Sequence, residues 1–100
     1  ILAVDDLTLD PSTRLATRAG KTIDLSATEY SLLEYLMRHP GRVLTRSVIL
    51  EHVWDYDFGG TDNVLDVYIM YLRKKIDKGN STPLIHTVRG VGFRMGKNNA

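Results

Sequence analysis

Short alternations of apolar and polar residues fill the first 25 positions of the chain. Turn-forming residues interrupt them at Asp5-Asp6, Asp10-Pro11-Ser12 and Ala19-Gly20. Alternation of this kind is typical of strands that bury one face, and the short gaps favour antiparallel neighbours. Residues 1–25 are therefore predicted to form a meander of up to four strands, whose apolar face needs a cover.

Two helical patterns follow the meander and supply that cover. Ser26 can cap a helix, Glu29 can complete a capping box three residues later, and Pro40-Gly41 ends the segment. A second, shorter helix is predicted over residues 45–54. Residues 55–61, which include two consecutive glycines, are predicted to form a loop.

The third predicted helix, residues 62–77, has two unlike faces when positions are spaced at 100°. The first is an apolar stripe, predicted to be buried, and consists of Leu65, Ile69, Leu72 and Ile76. The opposite face mixes apolar, aromatic, polar and basic residues, namely Asn63, Val67, Met70, Tyr71 and Lys74. Because apolar residues on a helix face away from the core favour contact with a partner, this second face is predicted to be an interaction surface.

Two short strands are predicted after the third helix, at residues 84–88 and 93–95. They are joined by Arg89-Gly90-Val91-Gly92, whose glycines permit positive φ, so a tight hairpin with Arg89 near its tip is expected. The predicted fold class is α+β, with an N-terminal four-stranded antiparallel sheet, three helices and a C-terminal β-hairpin.

A length of 100 residues fits a single domain. Residues 1–100 are predicted to divide into a meander (1–25), a three-helix part (26–78) and a hairpin (84–95).

The chain has no cysteine, which excludes disulfides and thiolate metal sites, and its apolar runs are far shorter than a membrane span. Without a signal peptide, a cytoplasmic location is expected. Because the chain begins at Ile1, we expect it to be part of a longer protein.

Positive charge is concentrated near the end of the chain, although the net charge is only +1. Residues 1–66 hold 6 basic and 11 acidic residues, whereas residues 73–97 hold 7 basic residues and one acidic residue, Asp77. A basic block of this kind is typical of a surface that meets a polyanion. A solvated helix end with a basic tail has the same composition, so charge alone leaves both interpretations open.

The sequence offers no pattern of catalytic residues. None of the three histidines has the spacing of metal ligands, and no serine lies in the setting of an activated nucleophile. Gly90 and Gly92 are not followed by a helix, which argues against a nucleotide-binding loop. No enzymatic activity, cofactor or metal is predicted.

Six segments carry a more specific signal. They are LSATEYSLL at 25–33, RVLTR at 42–46, VWDYDF at 53–58, DVYI at 66–69, LRKKI at 72–76 and HTVRGVGFR at 86–94. Together they resemble the effector domain of OmpR/PhoB-type bacterial response regulators. The resemblance implies a winged helix-turn-helix that binds double-stranded DNA sequence-specifically, as dimers on tandem repeats, and controls transcription. It also implies a receiver domain that this chain lacks, phosphorylated by a sensor histidine kinase.

The resemblance further implies roles for individual residues. Helix 62–77 would enter the major groove, where the base-reading residues would be Asn63, Val64, Val67, Tyr68 and Tyr71. Residues 89–92 would form the wing, with Arg89 in the minor groove. Loop 55–61 corresponds to the segment that contacts RNA polymerase in relatives, although a plain connector is an equal alternative. Phosphates would be contacted by Arg46, Trp54, Arg73, Lys74 and Thr87.

Several positions allow simpler or different interpretations. Trp54 is more simply a packing anchor, Tyr68 lies at the edge of the buried stripe, and Lys75 and Lys78 are interpreted as solvated cations. Many relatives have arginine where this chain has Asn63, Met70 and Tyr71, so their site preference does not transfer. Asn63 suits adenine, whereas Val64, Val67 and Met70 suit the methyl group of thymine. The alternative function is a winged-helix protein-interaction module, and we expect this chain alone to be monomeric.

Overall fold

The computed structural model describes residues 1–54, 63–80 and 82–97. Its elements follow the predicted order, with one additional strand between the first two helices. They are β1 (Leu2–Val4), β2 (Leu7–Asp10), β3 (Leu15–Arg18), β4 (Lys21–Ile23), α1 (Ala27–Met37), β5 (Val43–Thr45), α2 (Arg46–Val53), α3 (Asn63–Ile76), β6 (Ile85–Val88) and β7 (Gly92–Met95). The predicted α+β fold with a four-stranded antiparallel sheet, three helices and a C-terminal hairpin is confirmed.

The N-terminal sheet has the order β1-β2-β3-β4, with every neighbouring pair antiparallel. Leu9 pairs with Leu2 on one side and with Ala16 on the other, and Leu9 and Ala16 are fully buried. On the opposite face the hydroxyls of Thr8 and Thr17 lie 2.6 Å apart and form a cross-strand hydrogen bond. The period-two pattern therefore puts apolar side chains towards the helices and threonines outwards.

Helix α1 begins with the predicted capping box. The Ser26 side chain accepts a hydrogen bond from the Glu29 backbone N–H, and the Glu29 carboxylate accepts one from the Ser26 backbone N–H. Glu29 also accepts a hydrogen bond from Lys75 Nζ at 2.6 Å, and Lys75 donates to the Asp24 carbonyl as well. Lys75 is exposed, in keeping with its interpretation as a solvated cation, but it also forms an ion pair because α3 packs this lysine against the start of α1.

The strand β5 was not predicted. It pairs with β7, so that the C-terminal hairpin belongs to a three-stranded sheet of order β5-β7-β6. Three residues between a turn and a helix cap have too little pattern to indicate a strand. The pairing fixes the hairpin to the N-terminus of α2, where the Arg46 N–H also donates to the Val91 carbonyl.

The two glycines of the hairpin have different roles. Val88 pairs with Gly92, which leaves Arg89, Gly90 and Val91 as the turn, and Gly90 has the expected positive φ of 75°. Gly92 has no positive φ, contrary to expectation. It lies in β7 against β5, where an added Cβ would be 1.9 Å from the Leu44 carbonyl oxygen.

A buried arginine joins the N-terminal sheet to the end of α3. Arg18 is only 3% exposed, and its guanidinium donates to the carboxylates of Asp6 and Asp77 and to the carbonyls of Ile76 and Thr82. Asp77 in turn accepts hydrogen bonds from the N–H groups of Leu84 and Ile85. These bonds hold together the N-terminal sheet, the end of α3 and the segment that leads into β6.

Within the described parts of the chain, no helix is long and apolar enough to cross a membrane.

Candidate nucleic-acid interface

Helix α3 has the two faces that its sequence predicts. Its inward residues Leu65, Ile69, Leu72 and Ile76 are all buried in the core. On the outward face, Val67 is 36% exposed, Met70 46% and Tyr71 41%. Large apolar side chains on the solvent side of a helix are costly to expose and mark a contact surface. We call the outward face, made of Asn63, Val67, Met70, Tyr71 and Lys74, the outer face of α3.

A row of aromatic rings supports one edge of the outer face. The Trp54 ring lies 5.7 Å from the Tyr68 ring, and the Tyr68 ring lies 5.5 Å from the Tyr71 ring in an edge-on arrangement. Trp54 and Tyr68 are partly buried and pack against the core. Tyr68 is therefore half-buried at the edge of the apolar stripe, where the sequence placed it, and Trp54 serves as a packing anchor that reaches α3.

A cleft of about 660 Å³ separates α3 from the hairpin. Its floor is apolar and includes Ile69 and Phe93. Its lining contains the basic residues Arg46, Arg73, Lys74 and Lys78 and the acidic residues Asp66 and Asp77. Since Asp77 is engaged by Arg18 and by backbone N–H groups, the cleft presents more positive than negative charge to solvent. Its basic rim suits a chain of phosphates that flanks a groove.

Arg46 begins α2, and its side chain lines the cleft and reaches α3. Its two terminal nitrogens donate to the two carboxylate oxygens of Asp66 at 2.8 and 2.9 Å, a bidentate pair. The hydrogen bonds from Arg46 lower the pKa of Asp66 below its ordinary value, against the opposing effect of partial burial. Sequence reasoning missed Asp66, because no local pattern shows that residues 20 positions apart meet.

Arg73 and Thr87, which also line the cleft, are brought together by a hydrogen bond. Arg73 Nη2 donates to the Thr87 hydroxyl at 2.6 Å, and Arg73 Nε donates to the Ile85 carbonyl at 3.2 Å. Lys74, the next residue of α3, is exposed beside them. The sequence predicted a phosphate contact for all three residues, but it gave no sign that Arg73 would bond to the hairpin.

Arg89 lies at the tip of the hairpin, as predicted, in an exposed turn. The predicted contact loop 55–61 lies outside the described residues. Across residues 1–54, 63–80 and 82–97, no three His, Asp or Glu side chains form a group that could hold a metal ion.

Comparison with known proteins decides the family. The family model described as "Transcriptional regulatory protein, C terminal" matches residues 20–95. The chain belongs to this family. Its members are DNA-binding transcription regulators rather than enzymes, and the predicted relation to OmpR/PhoB-type effector domains is confirmed.

Two curated relatives cover most of this family domain. The chain is 54% identical over 94 residues to the transcriptional regulatory protein TrcR of Mycobacterium tuberculosis, covering 94% of this chain and 36% of TrcR. It is 57% identical over 88 residues to the response regulator MprA of a Mycobacterium species (strain KMS), covering 88% of this chain and 38% of MprA. The chain therefore spans little more than a third of the length of these relatives.

A solved structure supports the winged-helix fold of this family domain. It is the DNA-binding domain of Klebsiella pneumoniae RstA in complex with the RstA box, which is 30% identical with a TM-score of 0.83. The match covers 95% of both chains. The fold of the chain is thus that of a response-regulator DNA-binding domain.

Proposed function

We propose that the domain binds double-stranded DNA sequence-specifically and thereby controls transcription, with α3 in the major groove and the wing, residues 89–92, in the minor groove. The outer face of α3 carries this proposal, because it exposes apolar and aromatic side chains beside a basic cleft. A protein-binding surface would account for the exposed apolar side chains of the outer face, but it would not require the basic residues around the cleft. The RstA domain, which has the same fold, forms a complex with a DNA box.

The base-reading residues are proposed to be Asn63, Val64, Val67, Tyr68 and Tyr71. The Asn63 amide suits the paired donor and acceptor of adenine in the major groove, and the Val67 side chain suits the methyl group of thymine. Met70 adds a second apolar contact at the centre of the outer face. Tyr68 is half-buried, so its contribution is mainly to support Tyr71 through their 5.5 Å ring contact. This surface favours A·T-containing sites over guanine contacts.

Phosphate contacts are proposed for Arg46, Trp54, Lys74 and Thr87, which lie around the cleft and at the end of α2. Arg73, the fifth predicted phosphate contact, bonds to the hairpin instead. Lys74 is exposed and supplies a full positive charge. Arg46 stands at the N-terminus of α2, where backbone N–H groups also favour an anion. Contacts of this kind fix the register of the protein on the duplex but carry little sequence information.

Arg89 is proposed to enter the minor groove. It sits at the tip of the wing, on an exposed turn that Gly90 makes possible through its positive φ. Arginine is favoured in narrow, A·T-rich minor grooves because their negative potential is enhanced. The wing therefore adds a preference for the sequence that flanks the site read by α3.

The longer protein is proposed to be a response regulator of the cytoplasm. Its two curated relatives are nearly three times as long as the aligned segment, which leaves room for a receiver domain that a sensor histidine kinase phosphorylates. The receiver would promote binding to tandem DNA repeats, whereas this domain alone would be monomeric. Contact with RNA polymerase is proposed for loop 55–61 on the resemblance alone.

Selection from a pool of random duplexes tests the function directly. We expect the domain to enrich a defined sequence, and its affinity to fall linearly with the logarithm of salt concentration, with a slope of about −0.9 per phosphate neutralised. The measurement is a fluorescence anisotropy titration of a selected and a scrambled duplex. No enrichment, together with a salt-insensitive association with a protein, would instead favour the interaction-module alternative.

A matched pair of variants separates the two kinds of DNA contact. Lys74→Ala is expected to weaken binding to all duplexes by a similar factor and to reduce the salt slope by about one unit. Arg89→Ala is expected to weaken binding by about tenfold only where the flanks are A·T-rich, because the wing reads groove shape. Titration of duplexes that differ only in their flanks distinguishes the two. An equal effect of Arg89→Ala on every flank would rule out minor-groove reading by the wing.

A further inference from the structure

The pairing of Arg73 with the wing determines which atoms the cleft offers to a ligand. Arg73 extends from α3 and donates to two acceptors on β6, the Ile85 carbonyl and the Thr87 hydroxyl. A guanidinium has only donors, so the Thr87 oxygen must act as the acceptor in this 2.6 Å bond. The hydroxyl hydrogen of Thr87 is consequently directed away from Arg73.

Thr87 is exposed and lines the cleft beside Lys74. A phosphodiester oxygen is an acceptor, so it matches the hydroxyl hydrogen that Arg73 leaves available. We propose that Arg73 is a positioning residue, which holds the Thr87 hydroxyl as a hydrogen-bond donor to a DNA phosphate and does not contact the phosphate itself. This inference rests on the proposed DNA-binding function.

The surroundings of Arg73 support an indirect role. Its side chain is half-buried, and its guanidinium carbon lies 6.0 Å from the centre of the Phe93 ring, on the floor of the cleft. The two bonds to β6 need two donors in a fixed planar arrangement, which arginine has and lysine lacks. The exposed ammonium of the neighbouring Lys74 already provides a positive charge for the backbone of the duplex.

Substitutions at Thr87 test the hydroxyl donor. Thr87→Val keeps the β-branched shape that suits a strand but removes the hydroxyl, and it is expected to lower affinity for the selected duplex by about tenfold. The salt slope should not change, because no charge is removed. Thr87→Ser, which keeps the hydroxyl, should recover most of the affinity that the valine variant loses. Equal affinities of the valine variant and the unchanged protein would overturn the inference while leaving the proposed function in place.

Substitutions at Arg73 separate a positioning residue from a phosphate ligand. Arg73→Lys retains the charge. If Arg73 contacts a phosphate directly, the variant should lose little affinity. If Arg73 positions Thr87, the variant should lose nearly tenfold in affinity with an unchanged salt slope. Combining Arg73→Lys with Thr87→Val should cost no more than Thr87→Val alone. Thermal unfolding of each variant confirms that it is folded before binding is compared.

The opposite results would overturn the inference. If Arg73→Lys binds normally, or if Arg73→Met reduces the salt slope as much as Lys74→Ala and its effect adds to that of Thr87→Val, then Arg73 contacts a phosphate directly. Failure of the unchanged protein to bind any duplex would overturn the proposed function and this inference with it.

Discussion

Replacing Gly92 by alanine is expected to destabilise the folded protein by about 3 kcal/mol, at the upper end of what overpacking costs. The alanine methyl group would meet the Leu44 carbonyl oxygen, which is 1.9 Å from the ideal Cβ position. That oxygen belongs to the backbone of β5, whose residue Thr45 pairs with Gly92 itself. Relief of the contact therefore requires β5 and β7 to separate, which removes the pairing that ties the wing to α2. Urea unfolding followed by far-ultraviolet circular dichroism measures the change.

Gly20→Ala is the control, because it replaces a glycine that has no close neighbour. Gly20 has a φ of 81°, but nothing lies within 4 Å of an added Cβ. The expected cost is about 1 kcal/mol, which reflects the left-handed backbone of an L-residue. If the two variants unfold at the same urea concentration, the close approach of β5 to Gly92 is not what makes glycine necessary there.

Arg18→Met is expected to destabilise the protein by about 3 kcal/mol as well. The substitution keeps most of the aliphatic stem but removes every hydrogen bond that Arg18 makes to Asp6, Asp77 and the carbonyls of Ile76 and Thr82. Since Asp77 is largely buried, it would be left as a charged group without its cation. Breaking a buried ion pair on one side is costly because the remaining charge stays desolvated. Urea unfolding again provides the measurement.

Arg38→Met is the matched control for this second variant. Arg38 forms an exposed pair with Glu34, four residues earlier on α1, at 2.9 Å. Exposed pairs of this kind contribute little, so the change in stability should stay within about 0.5 kcal/mol. A loss at Arg18 no larger than that at Arg38 would show that the N-terminal sheet is not locked to α3 through this guanidinium.

The features that the sequence predicted correctly are local ones. The capping box of Ser26 and Glu29 involves residues three apart, and the two faces of α3 follow from a period of 3.6 residues. The four strands before residue 25 are marked by alternation and turns. In each case the atoms that decide the structure are near neighbours along the chain, so composition and spacing are sufficient.

The features that were missed depend on contacts between distant residues. Lys75 and Glu29 are 46 positions apart, Arg46 and Asp66 are 20 apart, and Arg73 and Thr87 are 14 apart. No local sequence pattern indicates any of these three pairings. Their pairing is set by how α3 packs against its neighbours, which a one-dimensional pattern does not contain. The Gly92 contact belongs to the same group, because it requires β5 to be known.

The uncharged centre of the outer face of α3 has a consequence for how the domain responds to ionic strength. In the proposed DNA complex, contacts made by Val67, Met70 and Tyr71 would displace no counterions, whereas the lysine and arginine contacts around them would. On that proposal, rising ionic strength should weaken binding to every duplex and leave the preference for the correct sequence in place. A regulator whose charged and uncharged contacts are separated in this way can dissociate from non-specific chromosomal DNA and still prefer its own operator.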